Sequence, residues 1–410
     1  MILPSRHPGS RVTAPIAAMT LLLVLFTGCR RRDFPEYPAN YREYAYITNG
    51  ASDTVSVIDV VHLRIDREIQ VGIHPVALAV SPSRNEVYIL NSGVRPSATA
   101  TDREPPFGSV SILDTARQRV VATLPVGREP TAIHLSANGD FAYIANSGSN
   151  SVTVLDLALR RTAVVLGVGE KPVQARISPD GASLVVTNSK AGSVSLFNAG
   201  EPNHQITQRS VFTGCPGASE IAILPDSSKA FVTCSSGHQV MAIALAQKAD
   251  PKQNRSPGRP DAIEALLDVG QNPVALALKP DGGELFVSNA ASNSISEIVT
   301  SSDDVGGAYL IGAQPVAGLV SPDNSTLYEA NFQSQEVALY AIDDGQRAGS
   351  IHVGDGPLAL ALSASGHLLF AVDQRSGDVA AIRTSTHSLF TLFSVGREPD
   401  AIAIKSFRAR

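Results

Sequence analysis

A pattern of about 42 residues recurs eight times along this chain of 410 residues, and its first and last copies are incomplete in complementary ways. The clearest copy spans residues 130–168: a turn before a proline, a short strand ending near Ser136, a small turn, then residues 143–146, residues 152–156 and a last strand running into Gly169. Four short strands separated by turn residues make one antiparallel sheet, and long repeats of this kind specify closed or stacked arrays. Turn prolines fall at Pro75, Pro130, Pro172, Pro216, Pro273, Pro315, Pro357 and Pro399, with spacings of 55, 42, 44, 57, 42, 42 and 42. The chain enters its repeat at a second strand near Tyr44 and ends with residues 399–404, which supply the missing first strand. A blade built from both termini closes a ring and removes two sheet edges that would otherwise be open to further pairing. The expected fold is therefore all-β, a β-propeller of eight four-stranded antiparallel blades.

Tyr46-Ile47-Thr48-Asn49, Val55-Ser56-Val57-Ile58-Asp59 and Ser178-Pro179-Asp180-Gly181 carry a family resemblance. On these motifs the chain resembles the YVTN-type β-propeller repeat family over nearly everything after residue 40. The resemblance implies a propeller, with seven blades as the alternative because many relatives have seven. It implies little about activity, since the family includes surface proteins and binding proteins.

Composition fits one large repeat domain, because each blade buries itself only against its neighbours. Hydrophobic residues make up 43% and charged residues 17%, and the net charge is -5. A nucleic-acid surface needs clustered Lys and Arg, so nucleic acid is not an expected partner. Tryptophan is absent and aromatics are 5%, which leaves few platforms for stacking bases or sugars.

The N-terminus has Arg6, His7 and Arg11, then an apolar run over residues 14–26, then Phe26-Thr27-Gly28-Cys29. That order matches a lipoprotein export signal over residues 1–28, with Cys29 lipidated and residues 29–42 as a tether to a propeller over residues 43–410. The run of about 13 residues falls short of the roughly 20 that span a bilayer. The expected location is extracytoplasmic, on an outer membrane or cell surface or facing the periplasm, with the membrane reached through the lipid.

Export changes the meaning of Cys215 and Cys234, the two thiols left in the propeller, because disulfides persist outside the cytosol. Simple hairpin pairing would put Ser219, not Cys215, opposite Cys234. Two extra residues near Gly214-Cys215-Pro216-Gly217 offer a way to fold the chain back, and a disulfide is expected.

Function has to come from the positions where the copies stop being equivalent. Inner strands alternate small and branched residues, as in Val76-Ala77-Leu78-Ala79-Val80. Three consecutive blades replace the alanines with His134, with Gln174 and Arg176, and with Glu220. Buried polar groups must be paired or wet. These four therefore form either an inter-blade network around an Arg176–Glu220 ion pair or a ligand site in the central channel, where His134 would titrate near neutral pH. A second candidate is the rim carrying His74, Lys190, His238 and Arg375, overhung by the long segment 94–108; the other long segment, 247–260, emerges on the opposite face. The recurrent Asn closing each second strand is expected to cap the following turn. The sequence contains no metal-ligand spacing, haem motif, nucleophile elbow or phosphate loop, so no metal and no cofactor are expected. The expected role is a lipid-anchored binding or scaffold module for a protein or small-molecule ligand. The alternative is a propeller enzyme of lactonase-like or dehydrogenase-like type working in the channel.

Overall fold

A computed structural model describes residues 35–95, 105–199, 205–247 and 258–408. The export signal, Cys29 and the centres of both long segments lie outside the described residues. Within the unit Tyr37–Arg410, eight four-stranded antiparallel sheets form a ring. Among the described residues, two short 3-10 turns are Gly50–Ser52 and Ser235–Gly237. Among the described residues, no helix is long and apolar enough to cross a membrane.

Blade 1 joins both ends of the chain. Its strands Tyr41–Asn49, Thr54–Asp59 and Arg64–Gln70 are completed by Pro399–Arg408 as the inner strand. Asn49 lies opposite Pro399 and Tyr41 opposite Arg408, so the closing pair runs longer than residues 44–49 against 399–404. Each of the other seven blades comes from one continuous stretch. Their inner strands are Pro75–Val80, Pro130–Leu135, Pro172–Ile177, Ala218–Ile223, Pro273–Leu278, Pro315–Val320 and Pro357–Leu362, for blades 2 to 8. Each inner strand packs against the inner strands of the two adjacent blades, all the way round.

The period-two alternation sets the packing between blades. In blade 2, Leu78 and Val80 join Tyr46, Val55 and Val57 of blade 1. Ala77 and Ala79, on the other face, join Ile133, Ile144 and Leu155 of blade 3. Small side chains on one face thus admit the branched ridge of the next blade, and the ring closes by repeating this fit.

The residue before each inner strand is left-handed in all eight blades: His74, Glu129, Lys171, Gly217, Asn272, Gln314, Gly356 and Glu398, with φ between 47° and 74°. For a residue with a Cβ this costs on the order of 1 kcal/mol. It is offset because the turned carbonyl accepts a backbone N–H at the end of the second strand, as His74 O does from Ser92 and Lys171 O from Ser189.

The recurrent asparagine does not cap the following turn as expected: Asn49 makes no side-chain cap bond to its 3-10 turn, and the amide reaches the third strand instead. Asn146 donates its Nδ2–H to Thr153 Oγ1 at 2.9 Å on the third strand, while its Oδ1 accepts the Gly127 N–H at 3.0 Å from the turn entering the blade. A Cβ on Gly127 would lie 2.5 Å from Asn146 Cγ, which is why glycine stands there. In blades 2 and 3 the amide therefore latches the incoming turn to its blade, since Asn91 Oδ1 likewise accepts the Gly72 N–H at 3.1 Å.

Blade 5 departs from this pattern. Ala218, not Ser219, is opposite Cys234, and a bulge separates it from the Ile221–Val232 pair. Gly214 (φ 92°) and Gly217 (φ 72°) turn the two extra residues back on themselves. That brings Cys215 to 4.7 Å from Cys234 between Cα atoms, and the two are disulfide-bonded. Ala218 occupies the place held by the turn proline in every other blade.

Candidate functional site

Backbone register puts the four arc residues at equivalent places on neighbouring inner strands. Gln174 and Glu220 correspond to Ala77, and His134 and Arg176 to Ala79. At the first place the other six blades carry alanine. At the second, five of the other six do, Leu319 being the exception.

The four side chains make one chain of contacts across blades 3, 4 and 5. His134 Nε2 is 2.8 Å from Gln174 Oε1, and Gln174 donates its Nε2–H to Glu220 Oε2 at 2.9 Å. Arg176 donates to Glu220 Oε1 at 3.3 Å. A carboxylate can only accept, so the Gln174 amide must point its nitrogen at Glu220 and its oxygen at His134. Nε2 is then the protonated nitrogen of His134. The backbone supports the arrangement too: Thr187 Oγ1 accepts the Gln174 N–H at 3.1 Å and donates to Ser219 O at 2.8 Å. Thr233 Oγ1 accepts the Glu220 N–H at 2.9 Å.

His134 does not titrate near neutral pH, contrary to the sequence expectation. Enclosure by protein, and then the nearby Arg176 charge, push its pKa down to about 3, against which the Gln174 contact acts only weakly. The imidazole is neutral at physiological pH and serves as a hydrogen-bond donor. Arg176 and Glu220 stay reachable by water, with side chains 35% and 23% exposed, and Arg176 Nε has no hydrogen-bond partner. The arc is thus both an inter-blade network and a partly solvated charge pair, with the Arg176 Nε–H buried and unpaired among the described residues.

The rim residues do not converge. Asp53 Oδ1 accepts the His74 N–H at 2.9 Å, and Lys190 pairs with Glu170 at 2.9 Å. His238 Nδ1 accepts the Asn272 N–H at 3.1 Å. Arg375 pairs with Asp355 at 3.6 Å and stacks on the Phe332 ring at 4.3 Å. Each makes its own local contact, and those of His74, His238 and Arg375 tie neighbouring blades together. A cleft of about 560 Å³ between blades 5 and 6 is lined by Lys229, Arg259 and Glu264 among others. Its Lys229 ammonium is already neutralised by Asp303 at 2.7 Å and Glu264 at 2.9 Å.

Inner-strand comparison misses three carboxyls on second and third strands, although each departs from its repeat in the same way. Glu329 replaces the branched residue found at Ile89 and Ile144 and lies fully buried, with neither oxygen bonded. Gly318 opposite makes room, since a Cβ there would meet Glu329 Oε2 at 2.7 Å. Burial, opposed by a contact with Ser288, pushes the Glu329 pKa up to about 8. Asp373 and Asp378 replace the latch asparagine and its hydroxyl partner in blade 8.

A profile of the family described as "Lactonase, 7-bladed beta-propeller" matches residues 40–223, slightly under half of the chain. No curated protein matches. Among solved structures, the dihydro-heme d1 dehydrogenase NirN superposes with a TM-score of 0.68 at 13% identity, covering 90% of this chain and 76% of its own. AztD from Citrobacter koseri gives 0.64 at 13% identity, covering 90% and 99%. A candidate 6-phosphogluconolactonase from Bacteroides uniformis gives 0.58 at 15% identity, covering 89% and 100%. Likeness at these identities shows the propeller fold. The profile match overturns the expectation of a non-catalytic binding or scaffold module, because the matching family is one of enzymes and its span contains the whole polar arc. The repeat resemblance is corroborated at the level of a propeller family and not as YVTN repeats in particular. The chain is an eight-bladed β-propeller whose first half is similar to the seven-bladed lactonase propellers.

Proposed function

We propose that this chain is a hydrolase that opens cyclic esters in the central channel, with Arg176 and Glu220 as the working pair. The observation that supports this most is the placement of the polar arc. Its four residues stand where other blades carry mostly alanine, and they fall inside the stretch similar to lactonases.

Hydrolysis of a lactone needs a base for the attacking water and a donor for the oxyanion that forms on the ring carbonyl. Glu220 is the carboxylate of the arc and takes the water proton. The Arg176 guanidinium, whose side chain is 35% exposed, supplies the oxyanion donor. Water oxygen bonds to the carbonyl carbon, the ring C–O bond breaks, and the leaving alkoxide recovers the proton from Glu220 to give a hydroxy acid. Gln174 and His134 are positioning residues: the first fixes the Glu220 carboxylate, the second fixes Gln174. The same reading keeps the export signal, with Cys29 lipidated and the ring held at a membrane outside the cytoplasm, and takes a small molecule as its partner.

The test is acid release from a panel of γ- and δ-lactones, including sugar-acid lactones. Glu220→Gln should lower kcat by about 100-fold or more on the lactone that is turned over. No hydrolysis above buffer across the panel, or an unchanged rate in Glu220→Gln, would overturn the assignment.

A further inference from the structure

The amide latch of the ring has one acidic counterpart. In blades 1, 2, 3, 4 and 6 the asparagine ending the second strand donates to hydroxyls on the third strand, as Asn49 does to Thr54 and Ser56 and Asn289 to Ser294 and Ser296. Blade 7 carries an acid as the partner but keeps the amide, so Asn331 still donates to Glu336 Oε1 at 3.4 Å. In blade 8 both members are acids. Asp373 and Asp378 lie directly opposite each other in the ladder. Asp373 is fully buried, its Oδ2 accepts the Gly354 N–H at 3.0 Å, and its Oδ1 has no partner among the described residues. Asp378 Oδ1 is also buried without a partner.

Two carboxylates cannot hydrogen-bond each other, and leaving both ionised in a buried site costs several kcal/mol. One proton between them restores the missing donor. A cation suits the site poorly. Calcium takes 6 to 8 oxygens, and among the described residues no group of three or more His, Cys, Asp or Glu could hold a metal. The oxygens of Asp373, Asp378 and Ser376 also crowd against Gly354, where even a Cβ would overlap them.

We propose that Asp373 and Asp378 share one proton and act as a pH-sensitive latch, holding the turn that enters blade 8 while protonated and releasing it when both ionise. This does not depend on the hydrolase assignment. The released element is residues 353–356, tied down by the Gly354 N–H and by Asp355, whose N–H donates to Ser376 Oγ at 2.9 Å. The other groups facing the pair are few. Asp355 lies on the turn itself, with Arg375 at 3.6 Å. Asp400, on the inner strand of blade 1, accepts from Gln374, the neighbour of Asp373, at 2.6 Å, with His74 beyond it. On the outer strand, uncharged Ser394 is opposite Asp378. Burial, and then the contact with Asp378, push Asp373 up to about 8. A carboxyl raised in the native state adds stability below its unfolded pKa of roughly 4, and that stability fades as pH rises to the folded value.

The experiment is thermal unfolding of the full chain from pH 5 to 9.5, in a Glu329→Gln background so that the other raised carboxyl is silent. The melting temperature of Asp373→Asn should match the parent at pH 5 and exceed it by a few degrees at pH 9. Asp378→Asn should do the same, and each should abolish one protonated-carboxyl infrared band. Parallel profiles for parent and variants would overturn the shared proton. So would recovery of the parent at pH 9 by millimolar calcium or magnesium, which would identify a cation site instead.

Discussion

Replacing Arg176 with alanine separates a working charge from a structural bridge, because the structure gives opposite stability terms of similar size. The change removes an ion pair to Glu220 at 3.3 Å whose partners are 35% and 23% exposed. Partly solvated pairs of this kind contribute about 0.2–1 kcal/mol. It also removes a buried Nε–H with no partner, a group whose desolvation costs about 1–3 kcal/mol when fully dry. Alanine is the ring's usual residue at this place, as at Ala79, Ala277 and Ala361, so the neighbouring blade accepts it without a cavity larger than the ring already tolerates. The net change should lie within about 1 kcal/mol of zero, which for a chain of this size is a shift of under about 4 °C in Tm. Loss of an oxyanion donor costs about 100-fold to 1,000-fold in kcat. Differential scanning calorimetry and a lactone assay on the same preparation would show a stable, inactive ring. A large fall in Tm for Arg176→Ala, with Arg176→Ala/Glu220→Ala costing little more, would instead make the pair an inter-blade brace and refute the catalytic assignment.

Replacing Cys215 and Cys234 together with serine should lower stability by about 2–4 kcal/mol, with reductant lowering the Tm of the parent and leaving that of the variant unchanged. Glu329→Gln should flatten the pH dependence of unfolding between about pH 4.5 and 8, because burial raises this carboxyl to about 8 in the native state and its stabilising protonated form is lost as pH rises; denaturant midpoints at pH 5 and pH 9 check it, and equal slopes for parent and variant would contradict it. Cys29→Ala should release the protein from the membrane fraction, and continued detergent dependence of the variant would exclude lipidation at that residue.

The eightfold period and the split first copy were enough to determine the architecture. Turn chemistry, strand length and period-two patterning are local properties, and repetition makes them unambiguous: Pro399 had to pair near Asn49 once each strand type counted to eight. The arc was legible for the same reason, since His134, Gln174, Arg176 and Glu220 break a repeat that states what belongs there. Their chemistry was not. Which oxygen faces which nitrogen, and why His134 is held neutral, depend on enclosure and on side chains 40 and more residues away. The bulge that puts Ala218 opposite Cys234 depends on how two glycines turn, and strand counting alone predicted the wrong partner. Asp373 and Asp378 look like ordinary turn acids in the sequence. Only the ladder, by burying one against the other with no donor between them, turns two common carboxyls into a pair that needs a proton.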